Sequence, residues 1–145
     1  MAETTRNIVE SNIDAIVYRK FFSGRQGIFV DVGAAGPDFL SISALFRRKG
    51  WRVIAVEPNP SFCELHRSAG NEVLQYACSY HDEDNVEFTV VDVHGSDYMG
   101  GNISYESFSS LGINNEFSKL KQDLDTKKIR VNVRRLDTLL QQSSP

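Results

Sequence analysis

By side-chain chemistry and by their places along the chain, Asp31, Gly33, Gly36, Asp38 and Glu57 are the residues most suited to bind a ligand. Asp31 ends an apolar run, Gly33 and Gly36 follow at once, and Asp38 stands where the next element should open. A pyrophosphate on a helix N-terminus wants free N–H groups without carboxylates nearby. Two acids beside the turn repel such a group and favour a ligand carrying positive charge. Glycine suits the turn because a Cβ would block a tight bend or a ligand lying against the backbone. The G-x-x-G pair alone is common. Asp38 serves equally well as a plain helix N-cap; for Asp31 a solvated strand-end acid is the lesser alternative.

Glu57 adds a second point of contact. It sits at the tip of a second apolar run, about 20 residues past the glycines, where α/β nucleotide sites read a ribose diol. A carboxylate fits that task because its two oxygens accept from two hydroxyls. S-adenosylmethionine combines a ribose with a sulfonium and an α-ammonium and has no phosphate, so it answers both demands. A dinucleotide oxidoreductase is the weaker reading, since G-x-G is missing and an acid precedes the turn.

The elements that must position these groups follow from pattern. Residues 28–32 are β-branched and aromatic and read as a buried strand. Phe39, Ile42, Leu45 and Phe46 recur at helical spacing and predict a helix opening at Asp38 and ending at Arg48 before Gly50. Residues 51–56 form the second strand. Pro58 stops its ladder, and Asn59-Pro60-Ser61 starts a helix running to about Ser68. Residues 72–78 form a third strand. Residues 86–91 and 129–134 alternate, which predicts an antiparallel pair at the outer side of the sheet. Lys127, Lys128, Arg130, Arg134 and Arg135 then make its wet face.

Phe29-Val30-Asp31-Val32-Gly33-Ala34 with Gly36, and Val53-Ile54-Ala55-Val56-Glu57-Pro58-Asn59-Pro60, resemble the FkbM-type S-adenosylmethionine-dependent methyltransferases. Val131 to Arg135 followed by Leu136-Asp137-Thr138-Leu139-Leu140 is similar to that family's strand and "LDxLL" segment. The resemblance implies an α/β fold, a Rossmann-like class I methyltransferase sheet, with an added antiparallel strand pair. It implies S-adenosylmethionine as cofactor and methyl transfer to a hydroxyl, often on a sugar or natural product. The cofactor residues it implies are Asp31, Gly33, Ala34, Gly36, Glu57, Pro58 and Asn59. Fold analogy adds Ala77 and Cys78 against the adenine. The family continues past "LDxLL" with a further strand and an acidic motif, whereas this sequence stops at Pro145. The sheet is therefore expected to be incomplete, in a piece of a longer protein, a degenerate gene or a chain completed by another copy. The first strand is then an edge through which copies could associate.

Composition bounds the rest. At 145 residues the chain is expected to form one partial cofactor-binding domain, 1–145. Apolar content of 41%, charged content of 24% and a net charge of −3 fit a soluble globule and suggest no nucleic-acid surface. No membrane span or signal peptide is evident, so a cytoplasmic location is expected, with Cys63 and Cys78 as free buried thiols and no metal site. A leading amphipathic helix is expected over residues 5–22, within a leading segment 1–23. Ile8, Val9, Ile13, Ile16, Val17 and Phe21 form its buried stripe, with Glu10, Asn12, Asp14 and Lys20 facing water. His66 reads as a surface residue and His81 as solvated. Residues 93–127 form a long glycine-rich loop, either a substrate lid or a connector, with a short helix at 115–124. His94, Asp97 and Tyr98 on it are candidates for a general base, but no catalytic residue is identified. Two functional classes stand: a methyltransferase acting on a small-molecule or sugar hydroxyl, and a non-catalytic or truncated module that keeps the fold.

Overall fold

A computed structural model describes residues 12–38, 40–92, 109, 111 and 125–143. Among the described residues, two three-stranded sheets carry the architecture. The first is parallel, in the order β1 (Ile28–Val32), β2 (Arg52–Val56), β3 (Glu72–Leu74). The second has β6 (Asp125–Arg134) at its centre, parallel to β4 (Ala77–Cys78) and antiparallel to β5 (Glu83–Asp92). This is a mixed α/β fold with parallel strands, compatible with a Rossmann-like sheet.

β1 and β2 lie in register from Ile28↔Arg52 to Val32↔Val56, which brings the two strand tips side by side. β2 is buried from Val53 to Val56, as a central parallel strand covered on both faces should be. The outer edge of β1 has no paired strand among the described residues, and Ile28 is 54% exposed.

The third strand departs from expectation. It is not one strand over 72–78: Gln75 and Tyr76 break it, and its halves belong to different sheets. The Tyr76 amide turns back onto the Leu74 carbonyl at 3.0 Å, so the ladder with β2 ends there. Ala77 and Cys78 then pair with Val133 and Arg134.

The alternation in β5 and β6 produces the predicted antiparallel pair, β5 longer at both ends and β6 at its start, but in a second sheet with β4 rather than at the outer side of the first. Phe88, Val131 and Val133 bury one face together with Ala77. The basic residues of the other face are partnered more than the sequence suggested. Lys128 pairs with Glu87 at 2.8 Å. Arg134 pairs with Asp84 at 2.7 Å and lies over the Tyr76 ring at 5.2 Å. A bulge at Asp84–Asn85 shifts the register, with Asn85 at φ 60, a conformation Asn tolerates.

Three helices flank the first sheet: α1 (Ile13–Val17), α2 (Ser43–Arg48) and α3 (Pro60–Ser68). α1 continues as a π-helical turn, Tyr18–Phe22. Its facing departs from the expected one in part: Asn12 and Lys20 face water as expected, but Ile13 is exposed with them. Asp14 is buried at 1% exposure, while Ile16 and Phe21 are exposed. The reason is aromatic packing: Tyr18 and Phe22 meet the Phe46 ring edge-on at 5.7 and 5.9 Å, and Phe29 and Trp51 complete the cluster at 4.6 and 5.1 Å. Each such pair adds about 0.5–1.5 kcal/mol beyond area burial. Gly27 is required by the same cluster, since a Cβ there would stand 2.7 Å from the Trp51 ring.

The final helix, α4 (Leu136–Gln142), is tied at both ends. Asp82 accepts from the Arg135 amide at 2.7 Å and the Thr138 hydroxyl at 3.1 Å. At the other end Arg52 donates to the Ser143 carbonyl at 3.0 Å while holding Glu72 with two hydrogen bonds. Among the described residues no helix is long and apolar enough to cross a membrane. Of the expected loop 93–127, Ser109, Leu111 and 125–127 are described, the last three belonging to β6 rather than to a loop; the rest, including the helix at 115–124, lies outside the described residues, as do Phe39 and residues 5–11 of the leading helix.

Candidate functional site at the first two strand tips

The glycine turn leaves β1 at Gly33, where φ is +73, a left-handed conformation that costs a side-chain-bearing residue about 1–2 kcal/mol. The Gly33 amide donates to the Val56 carbonyl at 2.9 Å, so the turn folds over the tip of β2. A Cβ at Gly33 would meet nothing within 4 Å, which leaves the space beside it open. Gly36 is different: its φ is not positive, and a Cβ there would only touch Phe62 at 3.9 Å. The second left-handed residue of the turn is instead Ala35, at φ 49.

Asp38 does not open the following helix. The chain stays in bends through Asp38, Leu40 takes φ 56, and α2 begins only at Ser43. The Ser41 hydroxyl accepts from the Ala44 amide at 3.2 Å and does the capping that Asp38 was expected to do. Asp31 accepts a short hydrogen bond from the Ser43 hydroxyl. Beyond it, the Arg47 guanidinium donates to the Pro37 carbonyl at 3.3 Å. Burial pulls Arg47 below its ordinary value, against the opposing pull of Asp38 and Asp31.

Glu57 is 6% exposed, and both its oxygens are engaged. One accepts from the Ala35 amide at 2.8 Å, the other from the Asn59 amide at 2.8 Å. Burial raises its pKa above the ordinary value despite these two bonds, which oppose the rise. Asn59 in turn caps α3, accepting from the Ser61 amide at 3.0 Å with Pro60 in the first turn. Glu57 therefore joins the glycine turn to the start of α3, a structural role the sequence did not reveal.

Two cavities flank the turn. One of about 550 Å³ is lined by Asp31, Gly33, Ala34, Gly36 and Asp38. The other, of about 290 Å³, is lined by Gly33, Glu57, Pro58, Ala77 and Cys78. The residues read from the sequence as cofactor contacts thus divide between adjoining spaces that share Val32, Gly33, Ala35 and Phe62. Asn59 alone lies apart from both, beside a smaller recess with Lys127. The sequence reading missed Tyr76, Phe62 and Phe88 as lining residues. Tyr76 was legible in principle: it precedes the small pair Ala77-Cys78 at the point where the strand breaks.

Both cysteines are free. Cys63 is fully buried on α3 and its thiol donates to the Glu57 carbonyl at 3.0 Å. His66 is not a surface residue: it is completely buried. His81 is half-exposed and bonded to Glu83 at 2.8 Å rather than simply solvated. Among the described residues no group of His, Cys, Asp or Glu is arranged to hold a metal ion.

Searches of curated proteins and of solved structures gave no match to this chain. The family model for the methyltransferase FkbM domain matches residues 31–145, from the acid at the tip of β1 through the glycine turn, the Glu57 loop and α4. On a match covering well over half its length, the chain belongs to the FkbM methyltransferase domain family.

Proposed function

We propose that this chain binds S-adenosylmethionine across the glycine turn and transfers its methyl group to a hydroxyl oxygen of a sugar or small natural product. The observation that carries this reading is the open space beside Gly33, flanked by the carboxylates of Asp31 and Glu57.

The residues present fit the cofactor. Ionised Glu57 has about four lone-pair sites, and backbone amides use only two, so each oxygen keeps capacity for a ribose hydroxyl. Asp31 accepts one hydroxyl from Ser43 and retains acceptors for an ammonium group. Ala77, the half-buried Cys78 and the Tyr76 ring line a space suited to a flat base. Asp31, Gly33, Ala34 and Gly36 would hold the amino-acid end, and Glu57, Pro58, Ala77 and Cys78 the nucleoside. Asn59 would act through the cap of α3.

When bound, S-adenosylmethionine supplies a methyl carbon activated by its sulfonium. The chain's own share is alignment and exclusion of water, worth several powers of ten when reactants are well held. Gly33 lets backbone approach closely, and Phe62 and Phe88 keep the adjoining wall apolar. An alcohol acceptor also gains from a base. His94, Asp97 and Tyr98 remain the candidates, all outside the described residues.

Calorimetric titration with S-adenosylhomocysteine tests the proposal. The wild type should bind, and Glu57→Ala and Gly33→Val should each weaken binding by at least about tenfold, the loss of one charge-assisted contact or of the open space. A wild type that folds yet shows no heat at millimolar ligand would overturn it and favour a non-catalytic module.

A further inference from the structure

Ala35, like Gly33, lines both cavities and holds a left-handed backbone, but it does so with a side chain and is held from two sides. Its N–H donates to Glu57 from the β2 tip at 2.8 Å. Its carbonyl meets Nε2 of His66, on α3, at 2.9 Å. A carbonyl only accepts, so Nε2 carries the proton. Nδ1 is buried and has no hydrogen-bond partner, so the ring is committed to this one contact. Burial lowers the His66 pKa and nearby Arg47 adds to that, against the opposing pull of the Ala35 bond, Asp31 and Asp38.

The bonds close a loop. Glu57 reaches Ala35 and the amide of Asn59, Asn59 caps α3, and α3 returns to Ala35 through His66. A left-handed alanine persists only where its surroundings over-determine it. Here two side chains fix the two polar groups of a single residue. Without the His66 contact the Ala35 carbonyl has no other described partner to keep the peptide after it in place, and the backbone facing both cavities is free to relax.

We infer that His66 is a positioning residue for cofactor binding: it holds the Ala35 carbonyl and so keeps the glycine turn in the shape that leaves both cavities open. This rests on the cofactor reading above for its consequence, but not for the holding itself. His66 touches neither cavity, so it acts only through Ala35.

The experiment compares His66→Leu with His66→Gln in the full chain. Gln presents an N–H donor at a reach close to that of Nε2, whereas Leu presents none. On ligand-free protein, NMR-detected amide exchange at Ala35 should quicken at least about tenfold in the Leu variant and stay near wild type in the Gln variant. S-adenosylhomocysteine affinity should fall at least about tenfold with Leu and recover to within about threefold with Gln. Equal exchange at Ala35 in the wild type and a folded Leu variant overturns the inference. So does equal loss of affinity in both variants, which would mark a packing role alone. Should the Leu variant not fold, the Gln variant and Ala35→Gly decide: glycine takes the left-handed shape without strain, so a turn that depends on His66 should tolerate His66→Leu better on that background. A wild type that binds no ligand while Ala35 exchange still responds would refute the cofactor reading and leave the holding role standing.

Discussion

Glu57 should make stability and ligand affinity respond to pH in opposite directions, and replacing it by Ala should remove both responses. The substitution strips the partners from two amides, Ala35 and Asn59, each bonded at 2.8 Å. An unsatisfied buried donor costs about 1–3 kcal/mol. Because Glu57 borders a cavity, water can enter and hold the sum near the low end, about 2–4 kcal/mol. Against that stands relief of a buried charge. The raised pKa says that burial outweighs the two hydrogen bonds in setting the balance between charged and neutral forms. The net loss is therefore about 1–3 kcal/mol at pH 7, or a drop of about 3–12 °C in Tm for a chain this size.

The sign with pH follows from linkage. A carboxyl whose folded pKa is raised binds its proton more tightly in the folded state. Its contribution to stability is fully present below the ordinary Glu value of 4.5 and is lost as pH rises through the higher folded value. The Tm advantage of wild type over Glu57→Ala should therefore widen on acidification across that window. Affinity for S-adenosylhomocysteine should fall over the same window, because ribose hydroxyls donate to the ionised carboxylate. Paired thermal melts and calorimetric titrations between pH 7.5 and the acid limit of folding measure both, with the pH scale set as an experimental choice of about three units. A Tm advantage that shrinks on acidification would refute the reasoning, since it would mean that the two amides hold Glu57 below its ordinary value.

The other predictions concern the turn and the thiols. Gly33→Ala should lose about 1–2 kcal/mol, because φ +73 is strained for alanine. Gly36→Ala should be neutral or gain up to about 1 kcal/mol, because it carries no positive φ and Phe62 lies 3.9 Å from the new methyl. Chemical denaturation of the two variants separates them, and equal losses would contradict the turn described. Burial, aided by Glu57, pushes the Cys63 thiol up to about 11. Iodoacetamide at neutral pH should spare Cys63 in the folded chain and modify it on unfolding. Cys78 is also pushed up by burial but lines the smaller cavity, so it should label slowly, and more slowly still with S-adenosylhomocysteine present. Mass spectrometry of tryptic peptides reads both sites.

What the sequence made legible, and what it hid, follows from how local the causes are. β1 was readable because four of its five positions are β-branched or aromatic and glycine follows, though it is not the buried strand expected, and the start of α3 because Asn59-Pro60-Ser61 carries its own cap and first-turn proline. The β5–β6 pairing was readable from alternation within each run. The α2 start was misread because Asp38 has the right chemistry for a cap, while Leu40 at φ 56 delays the helix until Ser41 takes that task. The same holds for the residues expected to touch a cofactor: Gly33, Glu57, Ala77 and Cys78 border one cavity because each lies at a strand tip or turn, where position along the chain predicts position in space.

Residues whose roles depend on a distant partner were misjudged. His66 looked like a surface residue because nothing within its own helix marks it; the carbonyl that needs it lies 31 positions away. Asp14 and Phe21 were placed on the wrong faces of the leading helix for a related reason. Periodicity assigns a stripe by assuming an α-helical turn throughout. The π-turn at Tyr18–Phe22 departs from that geometry, and the rings that pack inward are Tyr18 and Phe22, against Phe46 of α2. Their target, the Phe46–Trp51 pair, is itself assembled only when α2 meets β2. Hydrophobic pattern thus found the apolar residues of this region, but ring-on-ring geometry decided which of them turn inward.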